Sequence, residues 1–332
     1  MPRRLVTARN AAILLWIAGL VTYSVVIGMP TKRSNVLVWI TLAVLAIGVD
    51  RPRATLVSFV TRWLPLFGAL AAYDLLRGAS DGTEAAAHTW PQLDVDVWLG
   101  GGRTLTERLQ GWGWTPGHPH AWDYAAWAVY QSHFLMPLLI AVALWAMRDR
   151  MMTRYAVGIA LLSWMALATY WLYPAQPPWM VARDGLTGGG IDRIVHQLWD
   201  DLGVHRAARV FDTSSHSSRY ANTVAALPSL HAAFPMLTAV LFWGRRRWLN
   251  VLLVAYPLAM GLSLVYAGEH FSFDIVLGWA YAAIVATTVR AWGLAGQKSL
   301  TAPMLSPLPE PQVVGGAGRE LTSVGDSGSR NR

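Results

Sequence analysis

Two histidines and one aspartate have the types and spacing of a catalytic group. His270 and Asp274 stand four positions apart, so a helix would place them on one face, about one turn apart. A carboxylate in that position fixes the imidazole tautomer and stabilises its cation. His231, in a different apolar stretch, would add a second imidazole, so that one ring attacks and the other protonates a leaving group. A structural hydrogen bond in a polar pocket is the alternative interpretation.

His133 differs from the other histidines because it lies inside an apolar stretch. An ionisable residue at membrane depth is a functional candidate by default, and a packing role is an equal alternative. His118 and His120 share a loop, and two such residues without a third ligand nearby favour a solvated loop over a metal site. We predict no metal site and no other cofactor.

The composition and the apolar stretches indicate a membrane protein. Of the 332 residues, 54% are hydrophobic and only 14% are charged, whereas about 25% are charged in a soluble domain. The chain has no cysteine, which excludes disulfides, zinc–thiolate sites, iron–sulfur clusters and cysteine nucleophiles. A membrane-spanning helix needs about 20 apolar residues. Eight stretches are candidates: 11–29, 36–49, 55–76, 122–147, 155–173, 224–243, 248–268 and 273–293.

The arginines predict the orientation of these stretches. A net charge of +8 can indicate nucleic acid, but the arginines lie between apolar runs, so we predict a lipid bilayer and no nucleic-acid partner. If eight spans alternate, the arginine-rich segments fall on one side, which the positive-inside rule makes cytoplasmic. Both termini lie on that side, and Lys32 with Arg33 is the exception. The segments 77–121 and 174–223 then face outward, with His231 and His270 at the same outer face.

Three regions follow from this layout. Residues 1–76 form N-terminal transmembrane helices, and residues 77–293 form the membrane domain that carries the histidines. Residues 294–332 are rich in Pro, Gly and Ser, which predicts a disordered cytoplasmic tail.

The two histidine motifs resemble those of a known family. Pro228-Ser229-Leu230-His231 resembles the Pro-Ser-x-His signature of the type 2 phosphatidic acid phosphatase superfamily. The stretch from Ser263 to Asp274 resembles its last signature: a serine, a histidine seven residues later and an aspartate four residues after that. The runs 173–179 and 225–231 are similar to the branch containing inositol phosphorylceramide synthases, and 130–133 is similar to its bacterial members. The resemblance covers roughly residues 85–290 in order.

The resemblance implies a fold and a role for each residue. It implies an all-α membrane protein, a polytopic bundle of about 6–8 transmembrane helices with a six-helix phosphatase-type core. The histidine matching His270 attacks phosphorus and becomes a phosphohistidine, supported by the aspartate matching Asp274. The histidine matching His231 protonates the departing oxygen. The serine matching Ser229, with neighbouring backbone amides, holds phosphate oxygens, and water or an alcohol then releases the phosphoryl group.

The sequence departs from the phosphatase pattern at two phosphate-binding cations. The lysine expected six residues before Arg-Pro is missing, and Leu264 stands where the pattern has an arginine. Because a phosphate dianion beside a membrane needs paired charge, other arginines must replace some of this charge. Arg183 and Arg219 are the best placed, and a solvated loop arginine is the alternative for each. The arginines ranked below them are Arg193, Arg206 and Arg209. The substrate-binding candidates are Ser229, Arg183, Arg219, His133 and Ser263.

We therefore expect a multi-pass enzyme of the cell membrane that removes or transfers a phosphoryl group, without a metal, at the extracytoplasmic face. Its substrate would be a membrane lipid: a lipid phosphate, a polyprenyl phosphate or diphosphate, or a phosphoinositol lipid. One rival is a membrane glycosyltransferase using a lipid-linked sugar, with Asp94 or Asp96 as base, although solvated charges are the plainer interpretation. The other rival, a transporter or lipid binder using His133 and Arg62, gives no reason for paired histidines at one interface.

Overall fold

Each of the eight apolar stretches contains a helix, because a helix satisfies its backbone polar groups internally, as a bilayer requires. The helix within the stretch 224–243 begins only at Leu230. The computed structural model describes residues 8–26, 33–50, 52–79, 87–147, 149–203 and 223–301. A π-helical turn, Phe59–Trp63, joins α3 to α4. The helices are α1 (Ala8–Val26), α2 (Arg33–Ile47), α3 (Pro52–Ser58), α4 (Leu64–Ala79), α5 (Gln92–Leu99), α6 (Leu105–Gly113), α7 (Ala121–Ala146), α8 (Met151–Leu172), α9 (Pro178–Arg183), α10 (Ile194–Asp201), α11 (Leu230–Phe242), α12 (Arg247–Tyr266) and α13 (Ser272–Thr301).

The fold is that of an all-α, polytopic membrane protein, as predicted. Within the described ranges no β-strand forms, and five segments are long and apolar enough to cross a bilayer. Two shorter apolar helices, Asn35–Ile47 and Leu230–Phe242, accompany them. The five spans are Pro52–Arg77, Ala121–Ala146, Met151–Leu172, Arg247–Tyr266 and Ser272–Trp292.

The largest buried core lies where α4, α7, α8 and α11 pack together. Trp63, Tyr155, Leu162 and Leu237 are all completely buried in it. Helix α12 packs against α11 and α7. The short helix α11 is thereby held among longer ones, and this fixes the position of the residues at its first turn.

The loop after α11 contacts the loop after α7, and His231 lies at the opposite end of α11. After its last residue, Phe242, Arg245 donates to Asp149 Oδ2 at 3.0 Å, so the loop following α7 and the loop following α11 meet. The backbone N–H of Met151 and the Arg245 guanidinium together hold the pKa of Asp149 below its usual value. His231 lies at the other end of α11, about 20 Å away for 13 residues of helix.

Tryptophans lie on the surface of the segment that precedes α7. Trp98 in α5 and Trp112 in α6 are 78% and 81% exposed. Tryptophan is enriched at membrane interfaces, where its ring is half solvated and half in lipid. These exposed rings are typical of a segment lying on the surface of a bilayer.

The chain divides into a unit comprising Met1–Gly293 and a second unit comprising Leu294–Arg332. Helix α13 continues to Thr301, so the first residues of the tail predicted to begin at 294 are helical. The rest of that tail, 302–332, lies outside the described residues, as does 204–222.

Candidate active site

The side chains of His231 and His270 are in contact. His270 Nε2 lies 3.3 Å from His231 Nδ1, although the two residues belong to different helical segments. His270 Nδ1 lies 3.5 Å from Asp274 Oδ2. That separation is long for a hydrogen bond, so we treat it as an electrostatic contact. The structure thus brings together the three residues singled out by the sequence, with His270 in the middle.

The turn between α12 and α13 positions His270. Gly268 has a φ of +75°, and a Cβ there would lie 2.9 Å from Ile191 Cγ2 and 3.0 Å from the Asp192 carbonyl oxygen, so the turn requires glycine. The N–H groups of Glu269 and His270 both donate to the Leu264 carbonyl. His270 is therefore held by the backbone of the preceding helix.

Asp274 connects the two histidine-bearing helices. Its Oδ2 accepts from the Phe271 N–H at 2.9 Å, and its backbone carbonyl accepts from the Ser229 N–H at 3.0 Å. Ser229 is the N-cap of α11, and its hydroxyl accepts from the Ala232 N–H. One residue of α13 thus faces His270 with its side chain and holds the start of the helix of His231 with its backbone.

A glycine allows this close approach. A Cβ at Gly278 would lie 2.4 Å from the Ser229 carbonyl oxygen, so any other residue would push α13 away from the start of α11. From the other side, the Tyr170 hydroxyl on α8 donates to the Pro228 carbonyl at 2.9 Å. The loop before His231 is fixed between α8 and α13.

Aromatic rings surround the His231 imidazole. The Tyr130 ring stacks on it with centroids 5.0 Å apart, and the His133 ring lies at 4.1 Å. His133 also stacks on Phe234 at 5.2 Å. The structure therefore places His133 beside His231. It also places Tyr130 there, although the resemblance of the run 130–133 implied no role for Tyr130.

Extended backbone around Ala175 supports the loop before α11. The Ala175 N–H donates to the Val224 carbonyl at 2.7 Å, and the Ala226 N–H donates to the Ala175 carbonyl at 3.3 Å. On its other edge, the same segment exchanges hydrogen bonds with His88. The two runs that resemble one family branch, 173–179 and 225–231, are therefore neighbours in space.

Asp96 is a structural residue, which removes one candidate base for the glycosyltransferase interpretation. Its Oδ1 accepts from the N–H and hydroxyl of Ser272, and its Oδ2 accepts from the Leu105 N–H at 2.9 Å. Since both oxygens of this fully buried carboxylate are occupied, it caps the starts of α6 and α13. Asp94 is exposed.

The serine of the last signature, Ser263, hydrogen-bonds within its own helix. The Ser263 hydroxyl donates to the Ala259 carbonyl at 2.8 Å, so this interaction occupies its proton. Leu264, where the family pattern has an arginine, is completely buried among apolar residues that include Met260 and Ala232. Helix α12 thus presents an apolar side chain at that position.

The structure brings Arg193 closer to the site than the ranking from sequence implied. Arg193 binds both oxygens of Glu269, at 2.8 and 3.2 Å, and Glu269 directly precedes His270. Arg183 is 55% exposed and contacts Asp184 at 3.1 Å. Both guanidinium groups also lie over the Trp179 ring, Arg193 at 4.9 Å and Arg183 at 5.7 Å. The remaining arginine candidates, Arg219, Arg206 and Arg209, lie outside the described residues.

Three buried polar atoms at the centre make no hydrogen bond with any other described residue: His231 Nε2, His270 Nδ1 and Asp274 Oδ1. Unsatisfied buried polar atoms are costly and are concentrated at functional sites. If the Nδ1 proton of His270 faces Asp274, its Nε2 carries a lone pair suited to nucleophilic attack. The arrangement can therefore supply an oriented nucleophile and a neighbouring proton donor.

Comparison with known proteins agrees with the resemblance of the two motifs. A family model described as PAP2 superfamily matches residues 95–288, more than half of the chain. The phosphoinositol dihydroceramide synthase of Bacteroides thetaiotaomicron is 28% identical over 170 residues, which cover 48% of this chain and 53% of that protein. The chain thus spans about half the length of this curated relative. No solved structure matches the chain significantly.

Proposed function

The chain belongs to the PAP2 superfamily, and from that premise we propose that it transfers a phosphate-bearing group from one membrane lipid to an acceptor through a covalent histidine intermediate. The observation that carries this proposal is the contact between His231 and His270 with Asp274 behind it. The name of the Bacteroides relative supports a phosphoinositol group as the unit transferred and a lipid hydroxyl as the acceptor. Hydrolysis shares the first half of the reaction, with water as the acceptor.

The proposed first step breaks the bond between phosphorus and the leaving oxygen. His270 Nε2 attacks phosphorus, and His231 gives its proton to the departing alkoxide. In the second step the acceptor hydroxyl attacks the phosphohistidine, His231 takes its proton, and His270 is released. Asp274 stabilises the charge on His270, and positioning of this kind supplies most of the catalysis in phosphoryl transfer.

Substrate entry must separate the two imidazoles. An attacking nitrogen lies roughly 3–3.5 Å from phosphorus, and an acid lies roughly 2.6–3.2 Å from the oxygen that it protonates. The 3.3 Å contact between His270 and His231 is too short to hold a phosphoryl group between them. We infer that one imidazole turns away from the other when the phosphate binds.

We assign binding of the phosphate to the start of α11 and to nearby or unplaced arginines of the sequence. Ser229 and the first turn of α11 suit an anion, because a helix N-terminus carries partial positive charge. Arg193, Arg183 and Arg219 are the candidate cations, and Arg193 has the most direct connection through Glu269. With arginine supplying the charge, the proposal includes no metal. Ser263 is the least favoured candidate, since its hydroxyl is used within α12.

The proposed site faces the extracytoplasmic side. Support comes from the arginine-rich loop 245–247, which lies at the opposite end of α11 from His231 and which the positive-inside rule assigns to the cytoplasm. The exposed Trp98 and Trp112 suit the outer interface. A lipid could then present its head to the histidines while its chains stay in the bilayer.

The test is a labelled-phosphate assay on purified protein in lipid vesicles. Wild-type protein given radiolabelled phosphatidylinositol or phosphatidic acid should form a covalent, acid-labile phosphoenzyme, and the label should then pass to a ceramide acceptor or to water. His270→Asn should abolish the labelled protein and lower turnover by at least about 10³-fold, because the covalent route is lost.

His118→Asn, in the exposed loop before α7, is the matched control and should retain full activity, as should Asp94→Ala. Turnover that survives in His270→Asn but is lost in Asp94→Ala would reject the proposal in favour of the glycosyltransferase.

A further inference from the structure

A groove lies between α11, α12 and α13 on the side of the helical bundle. Its volume is about 300 Å³, at the lower end of the range for pockets that bind small molecules. Eight of its nine described lining residues are apolar, and the ninth is Arg290. The lining residues of α11 run from Met236 to Trp243, so the groove extends roughly 10 Å along that helix. An apolar groove of this length and volume suits part of one acyl chain.

The groove opens toward the bilayer. The helices α12 and α13 both provide membrane spans, and the lining residues Trp243, Val254 and Leu258 are exposed. The surroundings of an apolar span are lipid chains. An acyl chain is therefore the neighbour that reaches this groove most readily.

Arg290 distinguishes this groove from an ordinary lipid-facing surface. It lies within the span Ser272–Trp292 and is half-buried, and its guanidinium donates to the Val240 carbonyl in the last turn of α11. Among the residues that the structure describes, no carboxylate pairs with it. A cation at membrane depth is costly unless an opposite charge or a polar partner accompanies it, so an anion beside Arg290 would be stabilising.

Further positive charge follows the groove at the same end of α11. Trp243, which lines the groove, is followed closely by Arg245, Arg246 and Arg247. Arg245 pairs with Asp149, whereas Arg246 and Arg247 are exposed. Basic residues beside a membrane surface attract anionic lipids. The apolar groove and the adjoining arginines thus match the chain and the head group of one phospholipid.

We propose that the groove between α11, α12 and α13 binds one anionic phospholipid, with an acyl chain against Met236 and Leu258 and its phosphate at Arg290. The guanidinium has five N–H donors in a planar fork, so donation to the Val240 carbonyl leaves others for phosphate oxygens. Val240 lies about 14 Å along α11 from His231. The site is therefore separate from the histidines, and the inference is independent of the proposed function.

The test uses purified full-length protein and a phosphatidylglycerol with a photoreactive diazirine in its acyl chain, and mass spectrometry identifies the cross-linked peptides. Wild-type protein should be labelled on the peptides of α11 and α12 that line the groove. Unlabelled phosphatidylglycerol should suppress this labelling at a concentration about 10-fold or more below that of phosphatidylcholine, the ratio expected for one hydrogen bond to a charged group. Inorganic phosphate should not suppress it, because phosphate lacks the chain.

Variants of the groove separate the charge from the apolar wall. Arg290→Gln should remove the preference for phosphatidylglycerol, and Arg290→Lys should retain part of it, since lysine keeps the charge without the fork. Val254→Trp adds a ring to the wall and should reduce labelling of the groove. Arg62→Gln is the matched control, because Arg62 is an exposed arginine of another span, and it should leave labelling and competition unchanged.

Several results would overturn the inference. Equal competition by the two phospholipids in wild-type protein would make the groove an ordinary lipid contact, and suppression by inorganic phosphate would make it a site for a free anion. A stable dimer whose groove stays unlabelled would show that a second copy covers it. A purely structural Arg290 would give Arg290→Gln a lower melting temperature and an unchanged preference for phosphatidylglycerol. If Arg290→Gln does not fold, unchanged labelling and competition in both Arg290→Lys and Val254→Trp would count against the inference.

Discussion

The two imidazoles of the site have different surroundings, and this assigns them different roles. His270 has a carboxylate at 3.5 Å, which favours the cation that forms on attack. His231 packs against the rings of Tyr130 and His133, with its Nε2 buried. Stacked rings restrict the motion of an imidazole without supplying negative charge, so His231 is suited to hand over a proton.

This difference predicts how substitution of His231 depends on the substrate. His231→Gln should lower turnover of an alkyl phosphate by about 10²- to 10⁴-fold, the usual contribution of a general acid. An aryl phosphate with an acidic leaving group should lose much less, because its oxygen departs without a proton. Initial rates of phosphoenzyme formation with the two substrates measure the difference.

His133→Gln serves as the comparison, since it alters the same aromatic cluster without removing the donor. An equal loss on both substrates in His231→Gln would contradict the assignment of His231 as the acid.

At the scale of residues, the sequence predicted which histidines lie together better than it predicted where the arginines lie. The spacing of His270 and Asp274 is local, and a helix converts it into proximity by itself. The position of a cation depends on which helices pack together. Arg193 reaches Glu269 across 76 positions of sequence, and no periodicity relates them.

Among the elements, the contact between α13 and the start of α11 sets the geometry of the site. Gly278 lets the backbone of α13 approach the Ser229 carbonyl, and the Ser229 N–H reaches the Asp274 carbonyl at 3.0 Å. A hydrophobic pattern predicts both helices but does not predict a contact between two backbones, because no side chain marks it.

Gly278→Ala tests this contact. The added methyl group would meet a backbone oxygen that cannot move without moving α11, so we expect a loss of about 1–3 kcal/mol in stability and a large fall in turnover. Gly68→Ala is the control, because its Cβ would meet nothing within 4 Å, and alanine in a helix should be neutral or stabilising.

Thermal unfolding and lipid turnover, measured on both variants in the same detergent, give the comparison. A Gly278→Ala protein that melts and reacts as wild type does would show that the approach of the two backbones is unimportant.

The sequence also did not predict the extended backbone around Ala175. It forms isolated bridges with His88 and Ala225 and no regular element, so hydrophobic periodicity does not reveal it. Only the resemblance of 173–179 to a family branch singled it out, and that resemblance did not indicate a contact with 225–231.

At the scale of the whole molecule, the arginines predict which ends of the helices face the cytoplasm. Each of the eight apolar stretches predicted from composition contains a helix, but the helix within 224–243 begins only at Leu230 and is shorter than a membrane span. The contact between Arg245 and Asp149 brings together two loops that the positive-inside rule assigned to one side. The face of the site relative to the cytoplasm remains a prediction from the arginines.

Single-cysteine labelling tests the orientation, and the absence of native cysteine leaves no background. Leu186→Cys, at a position 50% exposed in the segment before α10, should react with a membrane-impermeant maleimide added to intact cells. Arg246→Cys, exposed after α11, should react only after the membrane is opened. The reverse pattern would place the histidines on the cytoplasmic side.

The backbone hydrogen bond from Ser229 to Asp274 limits how the two imidazoles can separate. This bond ties α11, which carries His231, to α13, which carries Asp274. Separating the two imidazoles by sliding these helices would break the bond and move Asp274 away from His270. Rotation about side-chain torsions avoids this loss and is intrinsically faster than collective helix motion. Admission of the lipid head group should then be governed by the rotamers of two residues within a rigid frame.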